Sequence, residues 1–271
     1  MITDPFKKIF TVPKPIVGMI HVQALPGTPK SKASVSQIAD QACREAETLV
    51  AGGVQAIMLE NMHDVPYLKR QVGPEIVSAL TKVAVEVRAT TDCPLGIQVL
   101  AGANKEALSV AQAADLQFIR SEGFVFGHLA DEGFMDSDAA ELLRFRKQIG
   151  ADHIQIFTDV KKKHSSHAIT SDLSLSETIH AAEFFLSDGV IVTGSRTGDA
   201  VILNELQSAY EDAGLPVFVG SGVTPEGLQA IFPYADAFIV GSYFKKNGDW
   251  RQAPDLERLR VLSQTREDLL K

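Results

Sequence analysis

The sequence predicts an α/β protein with the closed (β/α)8 architecture of a TIM barrel, formed as one domain over residues 1–271. Eight short apolar runs alternate with longer amphipathic runs along the chain. The 271 residues are close to the length of about 250 that such a barrel needs. No linker or break in composition divides the chain, and eight βα units favour a closed sheet over an open one.

The apolar runs are rich in β-branched residues and short enough to form buried parallel strands. The predicted strands cover residues 16–21, 54–60, 95–100, 116–120, 153–159, 190–193, 217–220 and 237–240. Two irregular stretches, 23–33 and 121–136, follow the first and fourth of these strands. Because barrels carry their binding loops at the carboxyl ends of strands, we expect both stretches to lie near a binding site.

Helix-start signals stand between the strands. Ser34 with Gln37, and Ser174 with Glu177, have the spacing of a capping box, in which each residue satisfies a backbone N–H of the other. Pro74 predicts the first turn of another helix. A last helix is predicted over residues 255–270. Glycine is common just past helix ends, and we expect helices to end before the glycines at 52–53, 150, 189 and 214.

The composition excludes several classes of protein. A net charge of −8 argues against a general nucleic-acid binder, which would be expected to carry a basic face. No run of 18 apolar residues predicts a transmembrane segment, and the first ten residues lack a signal-peptide core. Cys43 and Cys93 form no C-x-x-C pair. We expect a cytoplasmic protein that binds a small molecule, and a homo-oligomer is compatible with the sequence.

Glycine turns follow the sixth, seventh and eighth predicted strands. Barrels often hold a substrate phosphate in the last two of these loops, where glycines let the backbone N–H groups approach an anion closely. The seventh strand also runs into a helix start at Thr224-Pro225, whose first N–H groups would face the same anion. Arg196 would add a positive charge. The predicted phosphate-binding residues are Gly194, Ser221, Gly222, Gly241 and Ser242. The alternative is that these glycines only form tight turns.

Polar residues recur near the ends of the predicted strands. Outward strand positions face helices and should therefore be apolar. Polar side chains within the strands are accordingly expected to point inward or to lie at the mouth of the barrel. Carboxylates, an arginine and histidines in such a place supply acid–base chemistry. The predicted catalytic residues are Glu60, Asp159, Arg120, His21 and His164; Asn61, Gln98, Glu122 and Gln155 are further polar residues of this set. The alternative is a structural ion pair, for instance between Arg120 and Glu60.

A divalent metal ion is a further hypothesis for the same residues. His21, Glu60, Asp159 and His164 offer nitrogen and oxygen ligands. No short spacing such as H-x-x-x-H marks them as a metal motif, so the anion site is the favoured interpretation.

Several segments taken together resemble the BtpA family, which is named after a photosystem I biogenesis protein and includes bacterial sugar-operon proteins. The matching segments are Gly18-Met19-Ile20-His21, Ala24-Leu25-Pro26-Gly27, Glu60-Asn61, Phe118-Ile119-Arg120, Asp159-Val160, Lys163-His164, Thr193-Gly194, Thr197-Gly198, Gly220-Ser221-Gly222-Val223 and residues 236–242. The resemblance implies a barrel of the ribulose-phosphate-binding type. The chain departs from the family at the third strand, where Gln98 and Ala101-Gly102-Ala103-Asn104 replace an asparagine and an Arg-Asn-Asp stretch.

The residues and the family resemblance are compatible with two kinds of function. The first is an enzyme that binds a small phosphorylated metabolite, such as a sugar phosphate or a nucleotide-like compound, and acts as a lyase, isomerase or hydrolase. The second is a non-catalytic assembly factor, which the name of the family suggests. A scaffold needs a partner surface but no polar ring inside a barrel mouth, so the sequence favours the enzyme.

Overall fold

The structure, a computed structural model, describes residues 5–194 and 198–271. All eight predicted strands form and pair in parallel around a closed barrel, with the first strand hydrogen-bonded to the second and to the eighth. The barrel strands are Ile16–His21, Ala56–Glu60, Leu95–Gln98, Phe118–Ser121, Gln155–Val160, Gly189–Val192, Val217–Val219 and Ala237–Val240. The predicted TIM barrel is therefore confirmed.

Helices separate the strands and cover the barrel. The two predicted capping boxes are present at Ser34 and Ser174, and Thr224 caps the helix after the seventh strand. The α-helices are Pro5–Ile9, Val35–Ala51, Pro74–Thr90, Asn104–Ala113, Ala139–Gln148, Leu175–Phe184, Leu203–Asp212, Pro225–Ile231 and Leu256–Leu269. Short 3-10 turns occupy Ala168–Thr170, Phe232–Tyr234, Ser242–Phe244 and Lys246–Gly248.

One expected helix end is wrong. Gly189 was expected to follow a helix, but it is the first residue of the sixth strand, and the preceding helix ends at Phe184. Leu186 adopts the left-handed conformation there, with φ 65°. Gly189 has a packing role instead, since a Cβ at this position would lie 2.9 Å from the ring of Phe157 and 3.0 Å from the carbonyl oxygen of Pro216.

Below the mouth, the interior of the barrel is filled mainly by apolar side chains. Its side chains come from every second residue of a strand and form one cluster: Val17, Met19, Ala56, Met58, Phe118, Phe157, Ile191, Phe218, Ala237 and Ile239. Extending the same two-residue period toward the carboxyl ends of five strands leads to His21, Glu60, Arg120, Asp159 and Gly241. The alternation that fills the core therefore also directs these residues into the mouth.

The amino-terminal helix, Pro5–Ile9, packs against the other end of the barrel. The ring of Phe10 joins the interior cluster, with its centroid 5.7 Å from that of Phe118. Phe6 lies 5.7 Å from Phe218, edge to face. These aromatic contacts fill the bottom of the barrel with side chains.

A small antiparallel sheet lies beyond the barrel. It joins a hairpin, His128–Ala130 and Gly133–Met135, to the short strand Ser165–Ser166. The hairpin belongs to the loop after the fourth barrel strand, and the short strand belongs to the loop after the fifth. The predicted irregular stretch after strand four therefore contains regular structure.

Within the described part of the chain, we find no helix that combines the length and the apolar character needed to cross a membrane.

Candidate functional site

A cavity of about 550 Å³ opens at the carboxyl ends of the barrel strands. All five predicted catalytic residues line it, as do four of the five predicted phosphate-binding residues, Ser221, Gly222, Gly241 and Ser242. Gly194 does not line this cavity; it borders a neighbouring depression with Lys161 and Val192. Arg196 lies outside the described residues. The structure thus brings most of the predicted residues together in one place.

Strand register explains how residues distant in sequence meet. Glu60 is paired with His21 on one side and with Gln98 on the other, so three polar side chains stand at one level of neighbouring strands. Gln155 shares the face of Asp159 but begins the fifth strand, so it lies at the opposite end of the barrel from the mouth.

Arg120 and Asp159 form a two-point ion pair at the mouth. The Nε of Arg120 donates to one carboxylate oxygen of Asp159 at 2.8 Å, and a terminal nitrogen donates to the other at 2.7 Å. Both side chains are buried, with 5% of Arg120 exposed. Burial alone would lower the pKa of Arg120, but the charge of Asp159 outweighs it and the pKa is raised. The partner of Arg120 is thus Asp159, and the Arg120–Glu60 pair expected as the structural alternative is wrong.

Glu60 has no such partner among the described residues. Its carboxylate lies 3.7 Å from the Nε2 of His21. Burial raises the pKa of Glu60, and the positive charges of Arg120 and Lys163 oppose this only in part. A carboxyl group with a raised pKa inside a cavity is suited to exchange a proton with a ligand.

His21 is held as a neutral imidazole. Its Nδ1 lies 2.9 Å from the carbonyl oxygen of Trp250, which can only accept, so Nδ1 carries the proton. Burial, followed by the positive charge of Lys245, lowers the pKa of His21 to about 3. Its Nε2 therefore presents a lone pair on the side of Glu60, and His21 can accept a hydrogen bond there.

Glu122, Gln98 and Lys162 form a second polar group in the cavity wall. One oxygen of Glu122 accepts from the Nε2 of Gln98 at 3.0 Å and lies 3.1 Å from the Nζ of Lys162. Within the described part of the chain, the other oxygen of Glu122 and the amide oxygen of Gln98 are buried without a hydrogen-bond partner. Two acceptors in this wall are therefore unused by the protein's own groups.

Gly222 and Gly241 are glycines for different structural reasons. Gly222 has φ +66°, and a Cβ there would lie 2.3 Å from the carbonyl oxygen of Asp199. The fold itself therefore requires glycine at 222, so replacement by valine would strain the backbone and could not isolate a ligand effect. At Gly241 a Cβ would instead meet the Nε2 of His21 at 3.1 Å. Gly241 thus leaves the space in front of His21 open.

Ser221 and Gly194 hold two loops together. The Oγ of Ser221 accepts from the backbone N–H of Gly194 at 2.7 Å and donates to the carbonyl oxygen of Asp199 at 3.0 Å. The hydroxyl of Ser221 is therefore engaged by the loop after strand six. By contrast, no described group accepts a hydrogen bond from the backbone N–H of Gly222 or Ser242.

His164 lies at the rim of the cavity, exposed, in the left-handed conformation with φ 54°. For the metal hypothesis, the described residues contain no group of three or more His, Cys, Asp or Glu side chains arranged to hold one ion. Asn61, which follows Glu60, has a structural role: its amide donates to Asp64 at 2.9 Å and accepts from the N–H of Leu100 at 2.7 Å.

Several lining residues were not predicted from the sequence. Trp250 fixes the tautomer of His21 through its carbonyl oxygen, and it is the single tryptophan of the chain. Arg258 also lines the cavity: its guanidinium stacks 4.3 Å from the ring centroid of Tyr243. Asp131 and Glu132, at the tip of the hairpin, reach the cavity from the small sheet. A lone tryptophan soon after a glycine turn is the one signal that could have pointed to this loop.

Comparison with known proteins identifies relatives along nearly the whole chain. The model of the BtpA family matches residues 12–267. An uncharacterized mitochondrial protein of Caenorhabditis elegans is 45% identical over 258 residues, which are 93% of each chain. The photosystem I biogenesis protein BtpA of Synechocystis is 32% identical over 263 residues, which are 97% of this chain and 91% of that protein.

Solved structures with a similar fold are TIM-barrel enzymes. Thiamine phosphate pyrophosphorylase from Pyrococcus furiosus has a TM-score of 0.58 at 16% identity and covers 95% of this chain and 97% of its own. The tryptophan synthase alpha chain from Legionella pneumophila has a TM-score of 0.58 at 15% identity and covers 98% of both chains. At such identities the likeness shows the fold alone.

Proposed function

Because this chain belongs to the BtpA family and gathers glycine turns and titratable side chains in one barrel mouth, we propose that it is a metabolic enzyme. It binds a small phosphorylated metabolite at the carboxyl ends of its strands and acts on it by acid–base chemistry, as a lyase, isomerase or hydrolase. The observation that carries this proposal is the single cavity lined both by Gly222 and Gly241 and by Glu60 and His21.

The phosphate is held at the side of strands seven and eight. The backbone N–H groups of Gly222 and Ser242, which donate to no described group, are suited to an anion. Arg258 supplies positive charge from the start of the last helix. No carboxylate of the described residues forms an ion pair with its guanidinium, whose Nε donates to the carbonyl oxygen of Tyr243 at 2.5 Å. The remaining N–H groups of Arg258 can therefore bind phosphate oxygens.

The reacting end of the ligand lies toward strands one and two. Glu60, with its raised pKa, gives and takes the proton, and the Nε2 of His21 accepts a hydrogen bond from the substrate. Arg120 stabilises developing negative charge and is kept in position by Asp159. Asp159 remains an acid–base candidate, but both its oxygens are engaged, so Glu60 is the better one.

The phosphate end is tested with inorganic phosphate as the probe. Phosphate at 100 times its dissociation constant adds about 2.7 kcal/mol to the stability of the wild type and raises the melting temperature. Arg258→Gln reduces this shift, whereas Arg260→Gln, an exposed arginine on the same helix, leaves it unchanged. Equal shifts in all three proteins, or no shift in any, would contradict the phosphate site.

The reacting end is tested with phosphorylated metabolites found to stabilise the protein. Glu60→Gln keeps size and hydrogen bonding but loses the exchangeable proton. It is expected to bind the substrate and turn it over at least about 100-fold more slowly, the low end of the effect of losing a general acid or base. Near-normal turnover in this variant would reject Glu60 as the acid–base residue.

The alternative is a non-catalytic assembly factor, supported by the name of the Synechocystis relative. Under this alternative the cavity residues serve only stability. Glu60→Gln and Arg258→Gln would then leave the biological role intact in a deletion strain of the host. Failure of either folded variant to restore the phenotype favours the enzyme.

A further inference from the structure

Three consecutive lysines after the fifth strand have different surroundings. The Nζ of Lys161 donates to the carbonyl oxygen of Leu173, and that of Lys162 pairs with Glu122 at 3.1 Å. Lys163 lines the cavity, and none of the carboxylates in residues 5–194 and 198–271 forms an ion pair with it. Two of the three amines are thus engaged by the protein, and the third faces the ligand space.

The backbone of Lys163 is fixed on the neighbouring strand end. Its N–H donates to the Oγ1 of Thr193 at 3.1 Å, directly after the sixth strand. The amine therefore belongs to the cavity wall and is not carried on an exposed loop tip. Its charged neighbours in the cavity are Arg120, Glu60, Asp159 and Glu122.

These surroundings favour the neutral amine. Burial lowers the pKa of Lys163, and the positive charge of Arg120 lowers it further, against the opposing pull of Glu60. The negative charge of Asp159 is largely compensated by Arg120, to which both its oxygens are hydrogen-bonded, so it does little to stabilise a charged Lys163. A desolvated lysine beside another cation is the usual form of an amine nucleophile that reacts with carbonyl groups.

We propose that Lys163 forms an imine with an aldehyde or ketone carbon of the ligand, so that the substrate class is a phosphorylated carbonyl compound. The inference rests on the proposed function, because a phosphate bound at strands seven and eight would leave the carbonyl carbon inside the mouth, whose lining includes both Glu60 and Lys163.

The chemistry balances without an oxidant or reductant. The neutral amine of Lys163 attacks the carbonyl carbon, a C–N bond forms, and the oxygen takes a proton from the carboxyl group of Glu60. The nitrogen then returns a proton to the Glu60 carboxylate. Glu60 next protonates the hydroxyl group, the C–O bond breaks, water leaves and the C=N bond forms as the protonated imine. Glu60 suits this role because its pKa is raised by burial.

The probe for this proposal is pyridoxal 5′-phosphate, a phosphorylated aldehyde, used at one equivalent with borohydride reduction and peptide mapping by mass spectrometry. We expect Lys163 to be the main modified residue and inorganic phosphate to slow its modification. Lys163→Arg and Lys163→Met, both checked for folding by circular dichroism, are expected to lower the labelling rate at least about 10-fold. Lys147→Arg, at an exposed lysine, serves as the matched control and changes the rate little.

The outcomes separate this proposal from the proposed function. Labelling confined to exposed lysines, in a protein whose melting temperature still rises with inorganic phosphate, overturns the imine and leaves the phosphate site standing. A third outcome is that Lys163 is labelled, that inorganic phosphate does not slow this labelling, and that phosphate does not raise the melting temperature. This result supports the amine chemistry and contradicts the phosphate site. Unchanged labelling in folded Lys163→Met overturns the proposal outright.

Discussion

Asp159 and Glu60, two carboxylates that line the cavity, differ in how their charge is compensated. Asp159 gives both oxygens to Arg120, whereas Glu60 lies 3.7 Å from a neutral imidazole and is paired with no cation of the described residues. Burial accordingly raises the pKa of Glu60. Under the proposed function, the compensated carboxylate of Asp159 is suited to positioning Arg120, and that of Glu60 is suited to proton exchange.

This difference predicts opposite stability effects of two similar substitutions. Asp159→Asn removes the hydrogen-bonded counter-charge of the buried Arg120 guanidinium and is expected to cost about 3–5 kcal/mol in the free energy of unfolding. Glu60→Gln removes a charge that destabilises the folded state once the pH passes the raised pKa, so at pH 7 its stability is unchanged or increased. Urea denaturation at pH 7 measures both. A large loss in Glu60→Gln would assign Glu60 to the ion-pair network.

The glycines at 222 and 241 permit a second matched comparison. Gly222→Ala is expected to destabilise the protein by at least about 1–2 kcal/mol, because φ is +66° and the new Cβ would overlap the backbone at Asp199. The new Cβ of Gly241→Ala meets only side-chain atoms, of His21 and Met19, and the nearest is the Nε2 of His21 at 3.1 Å. We expect it to fold and to weaken binding of a ligand that contacts His21. Thermal melts with and without phosphorylated ligands distinguish the two, and equal loss of stability would make both glycines structural.

At the scale of elements, the loop after the eighth strand is what completes the site. It carries Trp250, whose carbonyl oxygen orients His21, and it is anchored by Lys245. The Nζ of Lys245 lies 2.6 Å from a carboxylate oxygen of Glu45 on the helix Val35–Ala51. With 1% of Lys245 exposed, this is a buried ion pair between elements about 200 residues apart.

Removing one charge of the Lys245–Glu45 pair is predicted to lower the stability of the protein far more than replacing both residues by apolar ones. Glu45→Gln leaves the ammonium of Lys245 buried and unpaired, and we expect a loss of about 3–5 kcal/mol. The double variant Glu45→Met with Lys245→Met fills a similar volume with apolar groups and should recover most of this loss. Urea titrations of the wild type, Glu45→Met, Lys245→Met and the double variant form the cycle, and Glu45→Gln is measured beside them. A double variant no more stable than Glu45→Gln would show that shape, and not charge, governs this contact.

The elements also show what could be predicted from the sequence and why. The eight barrel strands carry a strong local signal, because buried parallel strands are runs of β-branched residues between turns. His128–Ala130 and Gly133–Met135 are three-residue strands outside the core, too short for such a signal, so the small sheet was missed. The helix Leu175–Phe184 ends earlier than Gly189 suggests, and Leu186 adopts the left-handed conformation that glycine often supplies after a helix.

The same reasoning applies to the site. His21, Glu60, Arg120 and Asp159 could be predicted because strand alternation alone decides their direction. Trp250, Arg258 and Glu132 reach the cavity from loops and a helix, so their positions depend on tertiary packing that no local pattern encodes. The structural alternative took Glu60 as an example of a partner for Arg120, but the partner is Asp159, because strand order does not specify which of two inward carboxylates is nearer.

On the scale of the whole molecule, the two ends of the barrel differ in the chemistry of their buried side chains. The amino-terminal end is filled by Phe10 and its aromatic neighbours, and the carboxyl-terminal end carries the buried ionisable groups. Because those groups are part of one cooperative fold, their protonation is linked to the stability of the entire chain. His21 and His128 are both buried and neutral, with pKa values lowered by burial to about 3 and about 4.

These histidines predict a loss of stability in acid. An unfolded histidine binds a proton below about pH 6.5, whereas His21 stays neutral in the folded protein down to about pH 3. The unfolded state therefore binds more protons in this window, and stability falls as the pH drops from 6.5. The loss approaches about 1.4 kcal/mol per pH unit for each such histidine.

His21→Gln isolates the contribution of one residue. The carboxyl groups whose raised pKa values act in the other direction, those of Glu60, Asp64, Glu106 and Asp138, are present in both proteins, so their contributions largely cancel in the difference. We expect the wild type to lose about 2 kcal/mol more than the variant between pH 6.5 and pH 4.5, since the first half-unit is only partly titrated. Urea denaturation at half-unit intervals measures this difference. An identical slope in both proteins would mean that His21 binds a proton over the same pH range in the folded and the unfolded state, which would contradict its description as a buried imidazole with a lowered pKa.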